Sequence, residues 1–70
     1  MQDKTVYVKI GKNIRKYRLL KGLSQERLSE IISANDKFIG HVERVERTPS
    51  LKKLIKIAQI LGTDIKNLFD

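Results

Sequence analysis

Seventy residues allow one small domain, and 15 Lys+Arg against 8 Asp+Glu give a formal net charge of +7. A basic excess of that size points to a polyanion, nucleic acid before an anionic membrane surface. The chain has no cysteine and one histidine, and no stretch nears the roughly 18 apolar residues of a membrane span, which excludes disulfide staples, thiolate metal centres and a spanning helix.

The expectation is a soluble, cytoplasmic domain without a cofactor, bound metal or small-molecule ligand. Its apolar fraction of 40% suffices for one modest core. Residues 1–9 read as an N-terminal arm or as the start of the first helix. "TVYV" (5–8) has β propensity but no second strand to pair with. Residues 10–70 divide into five short helical segments, an all-α bundle. Ile10, Ile14 and Tyr17 stand at i, i+4, i+7 and form one apolar stripe, which Gly22 ends as a left-handed cap. Ser24 offers an N-cap oxygen to a second helix whose buried side carries Leu28, Ile31 and Ile32.

"SAN" (33–35) breaks the pattern, and Asn35 is the expected N-cap of a third helix over about residues 35–44. Phe38, Ile39 and Val42 are its apolar residues. A glycine at position 40 costs about 1 kcal/mol relative to alanine, so something should offset it. After the loop "VERTP" (45–49), Ser50 caps a fourth helix with Leu51, Leu54, Ile57, Ala58 and Leu61 at helical spacing. Gly62 closes it. Asp64 then caps a final turn bearing Ile65, Leu68 and Phe69.

Helices two and three are joined by about three residues, which forces the steep crossing of a helix-turn-helix. Ser29 is the small residue that the close approach needs. With Leu28, Ile32, Ile39 and Val42 facing inward, Asp36, Lys37, Gly40, His41 and Arg44 point outward. In this motif the second helix enters the major groove, so that face is placed to read base edges. The charge distribution agrees. Residues 1–30 carry eight cations against three acids, whereas residues 31–50 balance, so phosphate-binding charge flanks the reading face.

The runs "R-x-x-K-G-L-S-Q" (18–25), "I-G-x-V-E-R" (39–44) and "P-S-L-x-x-L-x-K-I-A-x-x-L-G" (49–62), in this order and spacing, resemble the phage-repressor-like (lambda repressor/Cro-type) helix-turn-helix family. The likeness spans about Ile10 to Phe69. In "FIGHVER" and its shortness the chain is also similar to the controller proteins of restriction–modification systems. The resemblance implies a sequence-specific transcriptional regulator of double-stranded DNA. Asp36, Lys37 and His41 fall on base-contacting positions, and Gly40 between them lets the helix approach the groove closely. Gln25 and Ser24, with Arg44, Arg47 and Lys52, fall on backbone-contacting ones. Arg18 and Glu43 match a structural ion pair between the first and third helices. Three departures stand out: Ser29 for the usual alanine, a harmless change in size, Ser33 for a turn glycine, and Val45 for the glycine that usually follows "E-R".

Several assignments have two readings from the sequence. Asp36 either accepts from a cytosine amino group or complements the dipole of the third helix. Lys52, Lys53 and Lys56 form a solvated face, with Lys52 near enough to the helix start to reach a phosphate. Ile65, Leu68 and Phe69 are candidates for a homodimer interface, or they close the monomer's own core. An enzyme is not expected, since paired carboxylates, a glycine-rich phosphate loop and a second histidine are missing. The alternative function is an antitoxin or other protein-binding module on the same fold.

Overall fold

The structure, a computed structural model, describes residues 4–70. They form α1 (Lys4–Leu20), α2 (Gln25–Ile31), α3 (Phe38–Glu43), α4 (Leu51–Leu61) and a closing 3-10 turn (Ile65–Leu68). Residues 1–3 of the expected arm lie outside the described residues. Residues 5–8 belong to the opening turns of α1, where Tyr7 packs against the core. Burial of an apolar side chain outweighs the weak β preference of this stretch.

The fifth element is a 3-10 turn and not the fifth α-helix expected. Asn67 N–H donates to the Asp64 carbonyl and Phe69 N–H to the Lys66 carbonyl, at 3.0 and 3.1 Å. These i→i+3 bonds use up the segment before an i→i+4 ladder can begin. Asp64 stands at its start without a side-chain cap bond.

All four α-helices end in the same way. Gly22, Ser33, Val45 and Gly62 take left-handed φ values of 72, 59, 63 and 70°. Each helix closes with a paired 6→1 and 5→2 bond, as in Leu23 N–H to Arg18 O and Gly22 N–H to Leu19 O. The pair Thr63 to Ala58 and Gly62 to Gln59 does the same for α4. Ser33 and Val45 therefore occupy left-handed positions where glycine has no steric penalty. Ser33 is exposed, so nothing is lost by shortening it. Ser33→Gly should raise stability by about 0.5–1 kcal/mol, a Tm gain of about 4 °C in a thermal melt. At Val45 the larger relief is opposed by loss of a half-buried side chain.

Ile10, Ile14, Leu28, Ile32, Phe38, Ile39, Val42, Leu54, Ile57, Ala58, Leu61 and Leu68 make one continuous core. α1 packs on α3, α4 and the closing turn, while α2 packs on α3. Leu68 is 0% exposed, so it closes the monomer's core and is not available to a dimer face. Asn13 holds it there by donating Nδ2–H to the Leu68 carbonyl at 3.0 Å. Ile65 is half-buried against the same core, and Phe69 is exposed. Gly11 on α1 lies against α3: a Cβ there would come within 2.9 Å of the Glu43 carbonyl oxygen and 3.0 Å of that of Val42. That close approach brings the first and third helices together.

Candidate nucleic-acid interface

Residues 32–37, six in number rather than about three, separate α2 from α3. Asn35 is not the N-cap of α3. Its Oδ1 accepts from Lys37 N–H at 2.9 Å, and its carbonyl accepts from Phe38 N–H at 2.9 Å. An Asx turn thus occupies residues 35–37, and the helical ladder starts only at the Lys37 carbonyl, which accepts from His41 N–H. Asp36 consequently precedes α3 and does not lie in its first turn.

The N-terminal residue flanking α3 is Lys37, which provides no side-chain cap. A neighbouring helix supplies one. Ser29 Oγ, fully buried on α2, accepts from Ile39 N–H at 3.0 Å and donates to the Gln25 carbonyl at 2.8 Å. The exchange of alanine for serine is therefore more than a change in size. The hydroxyl satisfies one of the orphan donors at the start of α3 and links the two helices of the motif. Ser29→Ala should cost about 1–3 kcal/mol by leaving that buried N–H unpaired, and amide exchange at Ile39 should accelerate.

At its other end α3 is held by a buried network. Arg18 Nε donates to Glu43 Oε2 at 2.7 Å, Arg18 Nη2 to Glu43 Oε1 at 3.1 Å, and Arg18 Nη1 to the Leu23 carbonyl at 2.8 Å. Gln25 Nε2 also donates to Glu43 Oε1, at 2.9 Å. The Arg18 and Glu43 side chains are only 7% and 4% exposed. One carboxylate therefore joins α1, the α1–α2 turn, the first residue of α2 and the end of α3. Gln25 is anchored inward through this bond, half-buried at the foot of the polar face of α3.

Of the expected base-contacting residues, Asp36 and Lys37 are exposed and His41 is half-exposed. Gly40 is buried and does not point outward. A Cβ added there would stand 3.0 Å from Gln25 Oε1 and 3.1 Å from Arg44 Nη1. This explains the glycine: Gln25 and Arg44 cross over its backbone. Together with Glu26, Asp36, Lys37 and Gly40 they line a shallow groove of about 160 Å³. A second, wider groove of about 500 Å³ runs past Ser24, Arg27, Ala34 and the carboxylates of Glu26, Glu30 and Asp36. Asp36 thus sits at the acidic edge of the face and Arg44 at its basic edge.

Of the expected backbone-contacting residues, Ser24, Arg44, Arg47 and Lys52 are exposed. Ser24 Oγ accepts from Arg27 N–H at 2.9 Å, and a hydroxyl retains its own proton for another acceptor. The Arg47 guanidinium lies over the Phe38 ring at 5.6 Å, with Lys53 Nζ on the same ring at 5.6 Å. A buried aromatic thus keeps two cations beside the start of α3. Glu46 was not singled out from the sequence. Its Oε1 lies 2.7 Å from His41 Nδ1 and 3.3 Å from Arg44 Nε. The hydrogen bond from His41, then that from Arg44, holds its carboxyl below the usual carboxylate value. No helical spacing rule pairs positions 41 and 46, because the left-handed Val45 turns the chain back between them.

Among the described residues no cluster of His, Asp and Glu could hold a metal ion, and no helix is long and apolar enough to cross a membrane.

Residues 14–68 match the helix-turn-helix family. The chain is 42% identical over 59 residues to the control protein C.SmaI of Serratia marcescens, covering 84% of this chain and 70% of that one. Its structure is similar to the restriction–modification controller protein C.AhdI of Aeromonas hydrophila, with a TM-score of 0.83 and 38% identity over 90% of this chain and 96% of that one. It is also similar to SinR, a master regulator for biofilm formation solved in complex with DNA, with a TM-score of 0.78 and 31% identity over 87% of this chain and 98% of that one. These relatives are regulators rather than enzymes. With an α2–turn–α3 unit locked at both ends and a polar face left free on α3, the chain belongs to the helix-turn-helix family of DNA-binding transcriptional regulators.

Proposed function

We propose that this regulator reads a palindromic operator as a symmetric dimer, each copy laying α3 in the major groove. The observation that carries this is the division of α3 and the turn before it. Phe38, Ile39 and Val42 are buried, whereas Asp36, Lys37, His41 and Arg44 remain open to solvent. Lys37, His41 and Asp36 are the base-reading groups, while Gly40 makes room for the Gln25 and Arg44 side chains that cross over it. Ser24, Gln25, Arg44, Arg47 and Lys52 contact the backbone and release counterions. Residues 10–70 act as one DNA-binding unit in the cytoplasm, without a small-molecule ligand.

A single α3 covers only a few base pairs, so two copies with half-sites about 34 Å apart supply the rest of the specificity. With Leu68 in the core, the dimer face is built from Ile65 and Phe69, beside Leu51 and Ile55, which are exposed one turn apart on α4. The likeness to C.SmaI and C.AhdI supports a role as a controller of a restriction–modification system. Occupancy would then follow from the regulator's own concentration.

Selection from a randomised duplex pool, with the winners titrated across salt, tests this. A palindromic consensus with a steep salt slope is the expected result. Salt-sensitive binding without a consensus would overturn it. In the same assay Lys37→Ala should relax preference at one base pair per half-site, by about 1–3 kcal/mol, and leave the rest of the consensus intact.

A further inference from the structure

We infer that Glu46 is a positioning residue that sets the hydrogen-bonding polarity of His41, making its Nε2 an acceptor aimed at an amino-bearing base, adenine or cytosine. This deepens the DNA-reading role proposed for α3 and rests on it. Three observations carry it. His41 Nδ1 lies 2.7 Å from Glu46 Oε1. The Glu46 carboxyl is held below its usual value by His41 first and Arg44 second, so it stays ionised near neutrality. An ionised carboxylate only accepts, and Nδ1 must therefore carry the proton. In the neutral form of the ring that is its one N–H, which leaves Nε2 with its lone pair. Among the described residues no group bonds Nε2, and His41 is partly exposed, so Nε2 is not a buried unpaired atom.

In the major groove adenine N6 and cytosine N4 are donors, whereas guanine O6 and N7 and thymine O4 are acceptors. A lone pair on Nε2 complements the first two and repels the others. The backbone holds the pair in register, since Glu46 N–H donates to the His41 carbonyl at 2.7 Å. Glu46 also restrains Arg44, through Nε at 3.3 Å, and places a negative charge near the phosphates. It therefore reduces general affinity while sharpening selection, two effects of opposite sign.

His41 is the sole histidine, so the ring nitrogens can be read without assignment ambiguity. Imidazole 15N shifts of the free protein would be measured at about pH 8.5, where an ordinary imidazole is neutral. The wild type should show the Nδ1–H tautomer, and Glu46→Ala the Nε2–H tautomer favoured in water. In pool selection at the same pH, His41→Ala should relax one position per half-site, and deleting the exocyclic amino group of the adenine or cytosine there should weaken wild-type binding as much as His41→Ala does. Glu46→Ala should lose about tenfold of the discrimination at that same position while binding unselected duplex more tightly. An Nε2–H tautomer in the wild type, undiminished binding when the exocyclic amino group at that position is deleted, or an unchanged consensus in Glu46→Ala would overturn the inference while leaving DNA reading by α3 intact. A wild type with no consensus would remove that role, and this inference with it.

Discussion

Glu43→Ala is expected to lose about 3–5 kcal/mol, the cost of leaving a buried Arg18 charge without its partner. A domain of 70 residues has a total stability of roughly 4–10 kcal/mol, so the variant should be near its unfolding limit at room temperature. The loss has three parts, all traceable to one side chain. Arg18 Nε and Nη2 lose their acceptors, Gln25 Nε2 loses its anchor, and α3 loses its tie to α1. Thermal melts followed by far-UV circular dichroism should show a fall in Tm of at least about 12 °C. A second variant separates charge from connectivity. Arg18→Met combined with Glu43→Leu removes both ions, and a buried pair replaced by apolar groups is often neutral or stabilising. The double variant should recover more than half of the loss. If it melts as low as Glu43→Ala, the network holds the motif by its hydrogen bonds rather than by charge compensation.

The second large effect is expected at Gly11. Any side chain there enters the space between α1 and the end of α3, where the nearest atoms are the backbone oxygens of Glu43 and Val42 and the Glu43 Cα, at 2.9, 3.0 and 3.2 Å from an added Cβ. Backbone cannot rotate away as a flexible side chain would, so the two helices must separate. Gly11→Val should cost about 3 kcal/mol, the upper part of the overpacking range, since its gain in helix propensity is only a few tenths. Gly11→Ala sets the milder limit, with a propensity gain of about 1 kcal/mol opposing the clash. The two should rank Val below Ala below wild type in denaturant titration. The reverse order would mean that the α1–α3 contact is looser than the distances state. Because the same displacement pulls Arg18 from Glu43, Gly11→Val should also weaken DNA binding beyond its loss of folded fraction.

The helices of this fold were legible because each carries its own periodic stripe. Ile10, Ile14 and Tyr17, and Leu54, Ile57, Ala58 and Leu61, declare a buried side through spacing alone. Ser24 and Ser50 declare two starts, each accepting from the N–H three residues on, at 2.9 and 3.2 Å. Gly22 and Gly62 declare two ends. The same periodicity left Asp36, Lys37 and Arg44 facing solvent, and the Arg18–Glu43 pair was reached through the family's motifs.

What sequence could not decide depends on groups brought together from different elements. Asn35 has the chemistry of an N-cap, yet it closes a local turn, because the start of α3 is capped by Ser29 from α2. Gly40 was placed on the open face by periodicity, yet Gln25 from the start of α2 and Arg44 from the end of α3 lie over it, which only the packing of α2 against α3 determines. Leu68 fits a dimer stripe as well as a core stripe, and α1 decides between them by meeting it. Ser33 and Val45 take left-handed φ without glycine, since the packed helices on both sides leave the chain no other exit. Glu46 reaches His41 only because of that exit. Periodicity is a property of one helix and is written along the chain. Caps, close approaches and ion pairs between elements are properties of two backbones at contact distance, and only the assembled core sets that distance.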